Sequence, residues 1–151
     1  MVAMGFGSLL LLLSVGSSSA ETPQLVSTTA EMSPASGVQW HDNLEAGWRQ
    51  ARQLKRPMVI FITSRQCIYC DAMKRDTWCD QSVTQQLRDG YVAIRLTPEH
   101  NAETLSRIKV PAYPTTLIGL PEGKVVAHRI GYQPANTVRS LLGEIANSIK
   151  H

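Results

Sequence analysis

The sequence predicts an α/β fold in which a mixed sheet is flanked by helices, and three observations carry this prediction. The continuous apolar run Met58–Ile62, bounded by Pro57 and Thr63, is typical of a buried central strand. Helical and strand-like segments alternate along the chain, which implies parallel strands. Two strand-like runs flank residues 121–124, which resemble a hairpin turn. With 151 residues, the chain is long enough for one domain and a leader.

Residues 1–20 have the pattern of a signal peptide. A Leu run at 9–13 is followed by Ser18-Ser19-Ala20, a small-x-small cleavage site, and the apolar core is too short to span a bilayer. We therefore expect cleavage after Ala20, no stable membrane span afterwards, and an exported protein, periplasmic or secreted. The segment before the Leu run carries no Lys or Arg, so a buried helix or an uncleaved anchor is the alternative.

Residues 21–37 are rich in Ser, Thr, Pro and Ala and predict a flexible linker, so the folded domain is expected to cover residues 38–151. Its first helix is predicted to start at Asp42 as N-cap, with Glu45 as capping-box partner, and to end before Pro57. The apolar face of this helix comprises Leu44, Trp48, Ala51 and Leu54.

The remaining elements follow from periodicity and from breaking residues. Helices are expected over 68–78, over 80–87 with Asp80 as N-cap, and over 102–108. Strands are expected over 91–96, 115–120 and 125–130. A C-terminal helix begins near Pro134, and its apolar stripe consists of Val138, Leu141, Leu142, Ile145 and Ile149. The three tryptophans, Trp40, Trp48 and Trp78, are expected to anchor the core.

The composition excludes two classes of protein. The net charge is +3, and the basic residues are mixed with acidic ones, without a run that alternates with aromatics, so we expect no nucleic-acid partner. The three cysteines are too few for a scaffold held together by disulfides.

The motif Cys67-Ile68-Tyr69-Cys70 lies where the buried strand gives way to a helix. A free thiol has a pKa of about 8.5, and a helix N-terminus lowers it by favouring negative charge. Cys67 is therefore predicted to be the attacking thiolate, and Cys70, one turn further, to resolve a mixed disulfide. Arg65 adds positive charge nearby, whereas Asp71 opposes it.

A static disulfide and half of a metal site are the alternatives for this pair. Zinc normally requires four ligands, and neither Cys79 nor the histidines show paired spacing. We therefore expect no metal and no cofactor. Cys79 itself is expected to be a small buried residue at a helix end, the alternatives being an intermolecular bridge or a resolving thiol.

The chain resembles the thioredoxin superfamily, and within it the exported thioredoxin-like group that includes the C-terminal domain of the DsbD transmembrane reductase. The resemblance rests on the strand Met58–Ile62, the Cys67–Cys70 motif, residues 77–80 with Val83, residues 110–115, the turn at Gly123-Lys124, and Gly131. It covers most of the chain after the leader and implies the thioredoxin fold.

The resemblance also implies roles for further residues. Pro114 occupies the place of a cis-proline that faces the disulfide, and the Tyr113 backbone is expected to pair with an extended substrate segment. Tyr69, inside the motif, is expected to be partly exposed and to contact substrate. The chain departs from the family at Gln66, where a Trp is common, and at Phe61, where many members carry a buried acid.

Together these features predict a thiol–disulfide oxidoreductase that acts on protein thiols and disulfides outside the cytosol, with the reductase direction favoured by the resemblance. Such a reductase needs an electron donor, for example a membrane thiol transporter. Two other classes remain open: a redox-inactive binding module that uses the groove at Pro114, and a metal chaperone that holds Cu(I) between Cys67 and Cys70.

Overall fold

A mixed sheet of five strands organises residues 37–149, the part of the chain that the computed structural model describes. The predicted signal peptide and residues 21–36 of the predicted linker lie outside the described residues. The strands are β1 (Trp40–His41), β2 (Met58–Ile62), β3 (Val92–Leu96), β4 (Thr115–Gly119) and β5 (Val125–Ile130). Their order in the sheet is β1-β3-β2-β4-β5. The strand β1 is absent from the sequence prediction.

Parallel and antiparallel pairings divide the sheet. β3 pairs in parallel with both β1 and β2, while β4 runs antiparallel to β2 and to β5. A thioredoxin fold with a mixed sheet and flanking helices is therefore confirmed. The predicted hairpin is formed by β4 and β5.

Five helices cover the sheet: α1 (Leu44–Leu54), α2 (Ile68–Asp76), α3 (Gln81–Gly90), α4 (Pro98–Arg107) and α5 (Ala135–Ile149). Asp80 caps α3 as predicted, because its carboxylate accepts hydrogen bonds from the backbone N–H groups of Ser82 and Val83. The helix predicted over 102–108 is the second part of α4, which begins earlier and is kinked at Asn101.

The predicted N-cap of α1 was wrong by one residue. Asn43 caps this helix, and its side-chain oxygen accepts a hydrogen bond from the Ala46 N–H at 3.1 Å. Asp42 instead accepts hydrogen bonds from the Arg95 guanidinium, at 2.7 and 3.0 Å. Both residue types cap helices well, so the sequence alone did not distinguish the two positions.

Each face of the sheet carries its own apolar core. On one face α2, α3 and α5 pack on Val59, Phe61 and Ile118, and on the other α1 and α4 pack on Ile60, Ile62 and Ile94. Trp78 is buried at the centre of the first core, whereas Trp40 and Trp48 are only partly buried at the edges.

The apolar stripes of two helices were predicted one residue too long. Leu54 and Ile149 are the last residues of α1 and α5, and both side chains are exposed to solvent. At a helix end the sheet no longer covers the stripe.

Among residues 37–149, no helix has the length and the apolar character that crossing a bilayer requires.

Candidate functional site

The ends of three strands bring the predicted site residues to one edge of the sheet. Ile62, the last residue of β2, lies opposite Thr115, the first residue of β4. The loop that leads to Cys67 and the segment that contains Pro114 therefore leave the sheet at the same edge. Thr63 continues the ladder beyond β2, because its N–H donates to the Leu96 carbonyl at 3.0 Å.

Cys67 and Cys70 form a disulfide, with an S–S distance of 2.10 Å and a Cα–Cα distance of 5.1 Å. Cys67 is the N-cap of α2, and its sulfur accepts a hydrogen bond from the Cys70 N–H at 3.2 Å. The sulfur that the sequence assigned as the thiolate thus lies where the free N–H groups of a helix favour negative charge.

The two sulfurs differ in accessibility. Cys70 is fully buried, whereas Cys67 is partly exposed. A sulfur of another protein can therefore approach Cys67 but not Cys70. This asymmetry is what an attacking and a resolving thiol require.

The Tyr113–Pro114 peptide is cis, and Pro114 directly precedes Thr115, which lies opposite Ile62 at this edge of the sheet. Pro114 is buried, and its carbonyl accepts a hydrogen bond from the Gly131 N–H at 2.7 Å. Tyr113 is exposed on the surface. Tyr69 is 65% exposed, in agreement with its prediction as an exposed residue.

Several exposed apolar side chains belong to the segments that meet at this edge of the sheet. Besides Tyr69 and Tyr113 they include Ile68, which is 78% exposed, and Ile130, which lies opposite Thr115 on β5. Tyr132 follows two residues later and is also exposed. Sequence reasoning missed Ile130 and Tyr132, because only the register of β4 with β5 places them near Pro114.

A polar cleft of about 670 Å³ opens on the other side of the motif, between the loop before Cys67 and the start of α4. Arg65 lines it and faces Glu99, with 3.8 Å between Nε and Oε1, while Asp71 pairs with Lys74 at 3.1 Å. The Glu99 pKa lies below its ordinary value, first because the carboxylate accepts a hydrogen bond from its own backbone N–H, and then because of the Thr97 hydroxyl and Arg65. Arg65 therefore forms an ion pair with Glu99.

Phe61 fills the place where the resemblance implies a buried acid. It is fully buried, and its ring lies 5.4 Å from that of Trp78. In the described part of the chain the buried polar side chains are all neutral, namely Thr63, Thr77, Thr84, Asn101, Thr115 and Thr116. Within residues 37–149, no carboxylate side chain is buried.

Cys79 corrects one prediction, because it is a free thiol exposed on the surface and not a buried residue. The turn after α2 directs Trp78 into the core, so its neighbour in sequence, Cys79, faces outwards.

Within residues 37–149, no cluster of three or more His, Cys, Asp or Glu side chains suited to a metal ion is found.

Comparisons with known proteins agree with this geometry. A family model described as thioredoxin-like matches residues 39–119. Anterior gradient protein 3 of Mus musculus is 22% identical over 113 residues, which cover 74% of this chain and 60% of the mouse protein. The chain thus spans only about 60% of the length of that curated relative.

Solved structures share the fold at low sequence identity. A thioredoxin from Thermus thermophilus is 21% identical with a TM-score of 0.65, covering 72% of this chain and 86% of its own. The DsbH oxidoreductase is 14% identical with a TM-score of 0.60, covering 90% and 95%. A disulphide isomerase from Xylella fastidiosa Temecula1 is 13% identical with a TM-score of 0.57, covering 68% and 87%.

Proposed function

This chain belongs to the thioredoxin-like family, and from that premise we propose that it is a thiol–disulfide oxidoreductase of protein substrates. The observation that carries the proposal is the asymmetric sulfur pair. Cys67 caps α2 and is partly exposed, while Cys70 is fully buried behind it. Two of the proteins that share the fold are named as an oxidoreductase and a disulphide isomerase, which agrees with this reading.

The reaction follows from the two environments. In the reduced protein the Cys67 thiolate attacks one sulfur of a substrate disulfide, and the other substrate sulfur leaves with the electron pair and takes up a proton. Cys70 then gives up its proton and attacks Cys67 Sγ. The Cys67–Cys70 bond forms, the mixed disulfide breaks, and the substrate is released as a dithiol, so two electrons pass from protein to substrate.

The substrate is proposed to lie along the edge formed by the exposed Tyr69 and Tyr113 and by the backbone that leads to the buried Pro114. The segment before Pro114 offers backbone groups for strand-like pairing, which gives affinity without sequence specificity. Exposed apolar side chains at Ile68, Ile130 and Tyr132 favour substrates whose cysteines are flanked by apolar residues, as in unfolded chains.

The resemblance to the DsbD C-terminal domain and the leader-like residues 1–20 support an exported protein, periplasmic or secreted, that works in the reducing direction. A reductase in that compartment draws electrons from a donor, such as a membrane thiol transporter.

The location is tested by N-terminal sequencing of the protein after cell fractionation. An N-terminus at Glu21 in the exported fraction supports it, and an intact leader in the cytosol contradicts it.

Substitution of the resolving cysteine tests the activity. In the Cys70→Ser variant the mixed disulfide on Cys67 has no internal thiol to resolve it, so substrate proteins accumulate as complexes that dithiothreitol releases. The control is the variant with both Cys67→Ser and Cys70→Ser, which retains Cys79 and should trap nothing. If Cys70→Ser traps no more than this control, the oxidoreductase proposal fails and the binding-module reading replaces it.

A further inference from the structure

Besides Gln86 Oε1, whose side chain lies near Gly143 of α5, three buried polar groups have no hydrogen-bond partner among the described residues, and all three lie on one face of the sheet. They are the hydroxyls of Thr63 and Thr116 and the indole N–H of Trp78, and none of these side chains is more than 2% exposed. A buried hydroxyl without a partner destabilises the folded state, so native proteins seldom retain one without a reason. The position of these groups suggests that reason.

The strand register places the two threonines close together. Phe61 lies opposite Thr116 across β2 and β4, so their side chains share a face of the sheet. Thr63, two residues beyond Phe61, points to the same face and lies opposite Pro114 when the register is continued by one step. Diagonal neighbours of this kind are roughly 7–8 Å apart at Cα and closer between side chains. One water molecule bridges two oxygens about 4.5 Å apart.

This face is the one that α2 covers. Met73 of α2 belongs to the same core as Phe61 and Trp78, and Cys70 lies one turn before Met73 on the buried side of the helix. The buried sulfur of Cys70 and the two threonine hydroxyls therefore share the layer between α2 and the end of the sheet. Phe61 supplies no proton acceptor there.

We propose that Thr63 and Thr116 hold a water molecule that hydrogen-bonds to Cys70 Sγ in the reduced protein, so that neutral hydroxyl groups assist the resolving thiol. This role rests on the proposed function. In the resolving step this water passes the Cys70 proton on to solvent through the polar cleft that Thr63 lines, and the Cys70 thiolate attacks Cys67 Sγ. The bond between Cys67 and the substrate breaks, and the departing substrate sulfur takes up a proton, which balances the one that Cys70 released.

Charged groups lie at the rim of this layer, and Arg65, Glu99 and His100 line the same cleft as Thr63. Arg95, the neighbour of Phe61 on β3, donates to Asp42, and Lys74 of α2 donates to Asp71. Arg129, opposite Thr116 on β5, is exposed. The two hydroxyl groups and the Trp78 indole N–H are thus the buried polar groups on this face that lack a partner among the described residues. Burial in this layer raises the free energy of the Cys70 thiolate, and hydrogen bonds donated to the thiolate lower its free energy.

A titration of Cys70 alone tests the assignment without requiring turnover. In a background with Cys67→Ala and Cys79→Ser, the ¹³Cβ resonance of Cys70 reports the pH at which half of the thiol is ionised. Thr63→Val and Thr116→Val should each raise this midpoint by about one pH unit, a tenfold weaker acid. Thr63→Ser and Thr116→Ser, which keep the hydroxyl, should restore it.

Thr84→Val is the matched control, because Thr84 is also buried but its hydroxyl donates to the Gln81 carbonyl on α3. It should leave the midpoint unchanged. The proposal is overturned if neither valine variant moves the midpoint, or if Thr84→Val moves it equally. If a valine variant does not fold, Thr63→Ala or Thr116→Ala replaces it in the titration. Because this titration involves no substrate, its result is independent of the Cys70→Ser trapping experiment.

Discussion

At the scale of single residues, Gly47 shows how closely α1 lies on the sheet. A Cβ atom at this position would be 2.4 Å from Ile94 Cγ1 and 2.5 Å from Ile94 Cδ1, and the Ile94 side chain is fully buried. The glycine therefore permits a close approach between helix and strand that any side chain would prevent. Its conformation is helical, so steric contact and not backbone freedom accounts for it.

Gly47→Ala should lower the free energy of unfolding by about 1–2 kcal/mol, because overpacking of the core outweighs the gain in helix propensity. Urea unfolding of the purified domain measures the change. Gly90→Ala is the control, since a Cβ there meets no atom within 4 Å, and it should be neutral or slightly stabilising. A Gly47→Ala protein as stable as the wild type would contradict the packing described.

Individual site residues were predictable to different extents. The positions of Cys67 at the helix end and of Cys70 one turn further followed from their spacing after a buried strand, because the strand-to-helix junction fixes which sulfur lies at the helix end. The exposure of Cys79 did not follow, since adjacent positions in a turn point in opposite directions and the sequence does not tell which one enters the core. Thr63 and Thr116 carried no signal, because their proximity depends on strand register.

At the scale of elements, the contact between α3 and α5 depends on a buried tyrosine. Tyr91 follows α3 and donates a hydrogen bond from its hydroxyl to the Leu142 carbonyl of α5. Burial raises the pKa of Tyr91 to about 12. The neutral phenol is therefore part of the native packing between these helices.

The stability of this contact should fall with rising pH. Below about pH 10 the phenol is neutral in both states, so its full contribution is present. Above that value the unfolded chain loses the Tyr91 proton first, which favours unfolding until the pH reaches the native pKa of about 12. Thermal unfolding of the wild type and of Tyr91→Phe, compared between pH 9 and 12, measures this contribution.

Tyr91→Phe should be less stable by about 1 kcal/mol at neutral pH, because one hydrogen bond is lost. Its stability should also decline less steeply with pH than that of the wild type. Parallel declines in the two proteins would show that Tyr91 does not ionise differently in the folded and unfolded states.

Elements were predictable where a pattern extended over several residues. The apolar run of β2, the hairpin of β4 and β5 and the stripe of α5 each gave enough positions for a period to be recognised. β1 has only two residues, so it has no period to detect and depends entirely on its pairing with β3. The first turn of α4 was missed because its kink at Asn101 interrupts the helix.

At the scale of the whole molecule, one part of the fold forms the core and another part presents the site. The parallel strands and the helices on both faces form a core that holds the end of β2 in place, and the antiparallel β4 positions Pro114 at the same edge. A rigid sheet edge thus presents a helix N-terminus and an extended segment side by side. The α/β architecture was predictable because alternating helices and strands allow few topologies.

The redox equilibrium of the Cys67–Cys70 pair tests the central claim most directly. The purified domain is equilibrated with dithiothreitol or glutathione buffers, and the thiol state is read by alkylation and mass spectrometry. We expect one reversible two-electron couple near the thioredoxin value of about −270 mV, as a reductase requires. The absence of a reversible couple would contradict the oxidoreductase account, and a value near about −120 mV would contradict the reducing direction.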